Sequence, residues 1–295
     1  MEDLFNEPEK LPEYVEEAMM YKTMKYESFS RRDKEMQKNL EDRVKHFSKI
    51  LKMKGEPKDY GQRVYLENKE FELEIYKQSE SLLYSHKTLR YRTSLPKDKI
   101  PDDSSAAQKI AQGFLESLEL TNKYAEFRSF EHSFGTTFKE EDEKPILIKT
   151  EAHVIYTFQV DNKPIIGPGA KIKVSLVEQG KVCGLLYFWR DLTEYEKWPL
   201  ISPEEALKRF KDDKRFKDLS STTASVTIEN MQFGFYSLPP TDFQRFLIPV
   251  YFFEGVVKTK LAEYPFCHFI VAVDITPSKI KALGVVDNPY ACLIF

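Results

Sequence analysis

Along this chain, stretches of helical apolar spacing give way three times to runs of strand-like segments. That recurrence constrains the fold more than any single motif. The first periodic stretch covers residues 31–54, where Met36, Leu40, Val44, Phe47 and Leu51 fall at spacings of three and four and so share one helix face. Ser30 and Asp33 supply a start signal, and Gly55 with Pro57 supplies a stop. The second stretch, residues 104–120, is striped by Ala107, Ile110, Ala111, Phe114, Leu115 and Leu118. The third opens on ISPEEALKRF. There Ser202 predicts the N-cap, Pro203 the first helical residue and Glu205 the closing member of a capping box.

Strand signals fill the intervals. They fall at 62–67, 71–77 and 81–86 after the first stretch, and at 126–134, 146–160, 170–178 and 181–189 after the second. After the third they fall at 225–238, 246–257, 268–275 and 279–286. The acidic run at 139–144 predicts an exposed hairpin loop, and Pro249 predicts that its strand lies at an edge or carries a bulge. The last two runs also correspond. HVIYTFQV matches LIPVYFFEG, with Tyr156 against Tyr251, and hairpin turns follow at EQGK and TPSK. The period varies, which excludes a solenoid. The expected fold is therefore α+β, about three repeated units, each a helix packed on an antiparallel β-meander. The units fall at residues 30–95, 101–199 and 200–295, after an N-terminal linker or arm at 1–29. With 41% hydrophobic residues, a chain of 295 has ample material for the core.

The bulk charge excludes some partners. A net charge of −3 and a pI near 6.1 give no basic face for nucleic acid. The lysines at 45–58 alternate with apolar residues and read as the solvated side of a helix. Cys183, Cys267 and Cys292 are widely spaced, so no disulfide framework is implied, although one pair can still bridge. No run approaches the ~20 apolar residues of a membrane span. The polar, proline-bearing start MEDLFNEPEKLPEY reads as a linker. A removed leader would then place the protein outside the cytoplasm or at a membrane; otherwise it is expected to be soluble and cytoplasmic.

Candidate chemistry is sparse. In DNKPIIGPGAKIKV, Gly167, Gly169 and Lys171 suggest a phosphate loop, but Ile172 stands where a hydroxyl would be needed, and a strand pattern follows instead of a helix. The stretch reads as a turn or bulge. His46, His86, His132, His153 and His268 lack metal-ligand spacing, so neither a metal nor a cofactor is expected. Cys267 and His268 are neighbours in a strand and point to opposite faces, which argues against a catalytic pair. The aromatic residues Tyr187, Trp189, Tyr195, Trp198 and Tyr251 cluster near the junction of the last two units. Such rings fill a core, or they line a groove for a peptide, a protein segment or a glycan.

The pattern YTFQVDNKPIIGPGAKIKVSLVEQGKVCGL, followed by a tryptophan and ISPEEAL, resembles modules of the PepSY and thermolysin-propeptide type. FLIPVYFFEG with HFIVAVDI resembles the ending of bacterial YycH/YycI-type regulators. The resemblance covers about residues 100–286, with a weaker echo at 30–90, and its motifs are short. Asn162–Lys163 replaces the usual glycine before Pro164. What the resemblance implies is an envelope-facing, non-enzymatic protein that binds or restrains another protein, such as a peptidase or a sensor kinase, and it carries over no catalytic residue. Two other readings stay open: a small-molecule or glycan-binding module using the same aromatics, and a hydrolase using His153 or His268 with nearby carboxylates.

Overall fold

The computed structural model describes residues 4–23, 34–90, 99–137, 145–217, 224–274 and 292–293. Helix α1 (Lys34–Ile50) buries Leu40, Val44 and Phe47, which lie on one face as their spacing requires. Its expected start signals lie outside the described residues. Its end comes before Gly55: Lys52 takes the left-handed conformation (φ 55°), and Met53 N–H returns to Ser48 O at 2.8 Å. After the short α2 (Lys87–Arg90), helix α3 (Ser104–Ser117) is capped by Asp103, whose carboxylate accepts from the N–H groups of Ser105 and Ala106. Helix α4 (Pro203–Asp212) starts as expected, with Ser202 Oγ accepting from Glu205 N–H. The second half of the capping box is not made, because the Glu205 carboxylate turns to Arg209 instead. The short α5 (Lys214–Lys217) follows.

The strands are β1 (Phe5–Asn6), β2 (Glu17–Lys22), β3 (Lys58–Asp59), β4 (Arg63–Glu67), β5 (Phe71–Tyr76), β6 (Leu82–His86), β7 (Ala125–Thr137) and β8 (Ile146–Val160). They continue with β9 (Lys163–Ile166), β10 (Lys171–Leu176), β11 (Val182–Phe188), β12 (Thr193–Pro199), β13 (Ser225–Tyr236), β14 (Ile248–Lys258), β15 (Glu263–Val271) and β16 (Cys292–Leu293). Fourteen of them form one mixed sheet in the order β16-β15-β14-β13-β9-β8-β10-β11-β6-β5-β4-β3, with β1 on β13 and β7 on β8. Strands β2 and β12 make a separate antiparallel ribbon.

This architecture corrects the expectation of three helix-on-meander repeats. The meanders do not close separately, because their strands pair across the expected boundaries. Strand β6 runs antiparallel to β11, setting Ser85 opposite Gly184. Strand β13 runs parallel to β9, setting Phe235 opposite Ile165. Residues 4–23 are also more than a linker. Strand β1 pairs in parallel with β13, β2 pairs with β12, and Leu4, Met20 and Tyr21 are buried. A third correction concerns Pro249, whose strand β14 is central, between β13 and β15. It is tolerated because it lies at the strand's beginning, where its carbonyl accepts from Ala272 N–H at 2.9 Å. The strand expected at 279–286, the TPSK turn and the acidic loop at 139–144 lie outside the described residues.

One face of the sheet carries α1 against β4 and β5, α3 against β8, and α4 against β15. Phe210 of α4 stacks on Phe253 at 4.6 Å and on Phe266 at 5.7 Å. Burying such a ring is worth roughly 1.5–3 kcal/mol. The C-terminal strands are covered on their other face by the β2–β12 ribbon, which packs Met20 and Trp198 with Phe246, Phe252 and Phe269. Cys267 and His268 do point oppositely: Cys267 packs with the ribbon-side cluster, and His268 sits against Phe210 and Phe216.

The stretch DNKPIIGPGAKIKV explains how the sheet is joined. Asp161 and Asn162 both have positive φ (51° and 57°), the geometry of a tight two-residue hairpin turn, which a glycine is not required to make. The returning chain pairs with β8 twice. Ile165 lies opposite Phe158 and Ile172 opposite Tyr156, and residues 167–170 loop out between them. That break lets β9 turn its free side to β13 while β10 turns its own to β11. The contact is tight. A Cβ on Gly167 (φ 99°) would lie 2.5 Å from Ser237 O, and one on Gly169 would lie 1.8 Å from Leu238 O.

Gly169→Ala is expected to lower unfolding stability by about 3 kcal/mol, since backbone must shift to admit the methyl group. Gly113→Ala, on the exposed face of α3 with open space around it, should raise stability by about 0.5–1 kcal/mol. Urea denaturation of the two variants measures both, and equal effects would contradict the joint.

Candidate functional site

The five aromatic residues expected to form one groove are not gathered into one. Tyr251 is fully buried in β14, where its hydroxyl donates to Ile201 O at 3.0 Å. Trp198 is buried beneath the ribbon, and Tyr195 is half exposed above Phe246 with Lys22 Nζ 4.5 Å from its ring. Only Tyr187 and Trp189, at the end of β11, line a common cavity. The buried Trp189 ring already packs against two others, Tyr124 at 5.4 Å and Phe158 at 4.4 Å, so it offers no open platform.

That cavity, about 260 Å³, lies where five segments meet. Thr23 comes from the arm, Arg43 from α1, residues 77–80 from the β5–β6 turn, residues 119–122 from the α3–β7 connection, and Tyr187, Trp189 and Asp191 from the end of β11. Positive φ at Glu80 (54°) and Glu119 (56°) turns two of these segments sharply. Lys77 is buried and held by Asp59 at 2.6 Å, while Arg43 pairs with Glu80. Asn122 donates to the Tyr187 hydroxyl at 3.4 Å, and burial raises the tyrosine's pKa. Gln78 Oε1 is buried and, among the described residues, has no hydrogen-bond partner.

Beside the cavity, buried Arg190 and Gln244 hold the walls together, a role that sequence reading missed. Arg190 donates to the carbonyls of Leu238, Pro239 and Asp242 at 3.3, 2.8 and 2.8 Å, and to Gln244 Oε1 at 3.2 Å. Gln244 in turn donates to Tyr236 O and Phe246 O and accepts from Leu238 N–H. Ser79 Oγ donates to Pro240 O at 2.9 Å, and Thr23 Oγ1 to Gln244 O. Burial pulls the arginine pKa down to about 10, so it stays charged at neutral pH. The only sequence signal was a lone arginine ending an aromatic strand, which says nothing of partners 48 to 54 residues away.

The second candidate is an edge. Strand β7 is 13 residues long and, among the described residues, pairs only with β8. Arg128 is a bulge between Phe127 and Ser129, after which the register with β8 runs unbroken from Ser129 to Ser133. Phe127, Phe130 and His132 lie opposite Tyr156, Val154 and Ala152, on the face that carries α3. Phe134 continues this row, with its ring 6.5 Å from that of His132. Phe127 is 42% and Phe134 57% exposed. Glu126, Ser129 and Glu131 occupy the other face.

His153 lies under this edge, between two hydroxyls: Nε2 is 2.7 Å from Ser133 Oγ and Nδ1 3.0 Å from Ser175 Oγ. Glu151 is 3.9 Å away, yet the ring is buried and lines none of the cavities around the junction, the ribbon or α3. His268 is likewise buried, 3.6 Å from Asp213. Among the described residues, no group of three or more His, Cys, Asp or Glu side chains is placed to hold a metal. Cys183 is buried, and the backbone register sets Cys292 opposite Cys267. No described helix is long and apolar enough to cross a membrane.

No family model matches the chain. No curated protein matches it either. Among solved structures, it is similar to an uncharacterized protein from Eubacterium rectale ATCC 33656, with 12% identity, a TM-score of 0.41, and coverage of 93% of this chain and 92% of that one.

The histidine's environment sets a pH dependence. Burial, reinforced by Lys173 and Arg90 and opposed by Glu131, lowers the His153 pKa to about 4; His132 and Glu151 also face it. Between that value and the unfolded value near 6.5, the unfolded chain binds the extra proton. Stability is therefore expected to fall by about 2–3 kcal/mol as pH drops from 6.5 to 4. His153→Gln should flatten that segment of a urea-midpoint profile, and an unchanged slope would contradict the assignment.

Proposed function

We propose that the protein is a non-enzymatic binding module that takes an extended segment of another protein onto the outer edge of β7. The observation carrying this reading is the contrast between the sheet's edges. Strand β3, at one end of the strand order, is two charged residues long, Lys58–Asp59, which leaves little to pair with. Strand β7 has neither lysine nor proline and shows half-exposed phenylalanines beside its edge. An added strand would satisfy the outward backbone groups of residues 129–133 and lay alternate side chains on the two faces.

The faces define the occupant's chemistry. Its apolar residues would extend the row Phe127, Phe130 and Phe134, and its basic residues would meet Glu126 and Glu131. A segment alternating apolar and basic residues fits both. Docking of this kind restrains a partner and leaves its covalent structure unchanged. That suits the regulator or inhibitor role implied by the resemblance to PepSY- and YycI-type modules, with an envelope peptidase or sensor kinase as the partner.

Selection of phage-displayed random twelve-residue peptides on the intact protein should enrich alternating apolar–basic sequences. The bound peptide should slow hydrogen exchange of the amides at 129–133. Phe127→Lys with Phe134→Lys should weaken that binding at least about tenfold while changing stability by less than about 0.5 kcal/mol, because both rings are exposed. Failure to enrich any sequence, or protection elsewhere, would overturn the reading.

A further inference from the structure

We infer that the cavity where the arm, α1, the β5–β6 turn, the α3–β7 connection and the end of β11 meet binds a small zwitterion with the size and charge pattern of a free amino acid. The proposal is independent of the β7 edge. The cavity's volume of about 260 Å³ suits a molecule of that size.

The lining is bipolar. Arg43 gives one guanidinium N–H to Glu80, and its side chain is 36% exposed, so its other donors can reach a carboxylate in the cavity. Lys77 adds positive potential from behind, although its ammonium is held by Asp59. The same lining holds carboxylates that suit an ammonium. Glu119, 78% exposed at the cavity mouth, is 3.8 Å from His46, and Asp191 lies at the end of β11. Neither sign dominates, so an isolated anion or cation would face an unmatched like charge.

The neutral polar groups point the same way. The Asn122–Tyr187 pair offers hydrogen bonds to a polar guest. Trp189, one of the aromatic residues that sequence reading offered for a glycan, is buried and already packed against Tyr124 and Phe158, so it presents little open ring surface. That removes the usual platform for a sugar ring and leaves charge and hydrogen bonding as the recognition chemistry. Since Arg190 and Gln244 fix the neighbouring loop, the site is held in shape before any ligand arrives.

The test is thermal unfolding and calorimetric titration of the full chain with glycine, L-alanine, L-glutamate and L-arginine, beside acetate, methylamine and glucose. At saturating concentration at least one amino acid should raise Tm by about 3 °C, and acetate, methylamine and glucose should not. Arg43→Gln and Glu119→Gln, each confirmed as folded by circular dichroism, should weaken that amino acid at least tenfold. Absence of binding by every amino acid overturns the proposal. So does equal binding of acetate, methylamine or glucose, or affinity unchanged in both variants.

Discussion

The sheet depends on a close backbone approach between the loop after β9 and the end of β13. Ser237 N–H donates to Ile166 O at 2.8 Å, and Gly169 N–H to Ser237 O at 3.2 Å, with glycines at 167 and 169 where any Cβ would collide. Gly234 contributes from the other side, since a Cβ there would lie 2.6 Å from Pro164 O. This contact turns two meanders into one sheet. Without it, β13 would lose its parallel partner β9, leaving the arm and the side-chain contacts of Arg190 and Ser79 to hold the C-terminal strands.

A joint of this kind exposes polar backbone to the interior, and the structure meets that need with side chains. Residues 238–246 cross between the arm, β11 and the β5–β6 turn without regular pairing, so their carbonyls need donors. Arg190 and Gln244 supply most of them, while Thr23 and Ser79 tie in two more segments. A buried arginine bonded mainly to carbonyls is costly in desolvation, and it holds its place because several carbonyls share its charge. The polar cavity is a consequence of the same convergence: five segments meet at their ends, where side chains are charged and packing is incomplete. The free edge of β7 has a different origin. Strand β8 spends its inner side on β9 and β10 in succession, so the hairpin's outer strand finds no neighbour among the described residues.

Much of the local structure was legible. The strand read at 146–160 is β8 with the same bounds, and Ser202, Pro203 and the apolar stripe of α4 stand where the pattern puts them. Reading GPG as punctuation was also sound, since residues 167–170 loop out of a strand. The candidate site was less legible. Tyr187 and Trp189 share a cavity, but Tyr251 and Trp198 are spent on the core, because an aromatic residue in a strand carries no mark of which face will be covered. Arg190 and Gln244 were invisible for a similar reason. Their partners are backbone carbonyls, which every residue possesses.

By itself the sequence determined the body of α1, α3, α4 and the longer strands and which of their faces are apolar. Those properties follow from side-chain period and capping within a few residues. Tertiary structure decided which strands are neighbours, that the three meanders merge into one mixed sheet, and that an arm read as a linker supplies two strands. Strand pairing is made by N–H and C=O groups common to all residues, so the choice among partners rests on long-range packing. It rests equally on the few positions, such as Gly169, where only a missing side chain lets two backbones meet.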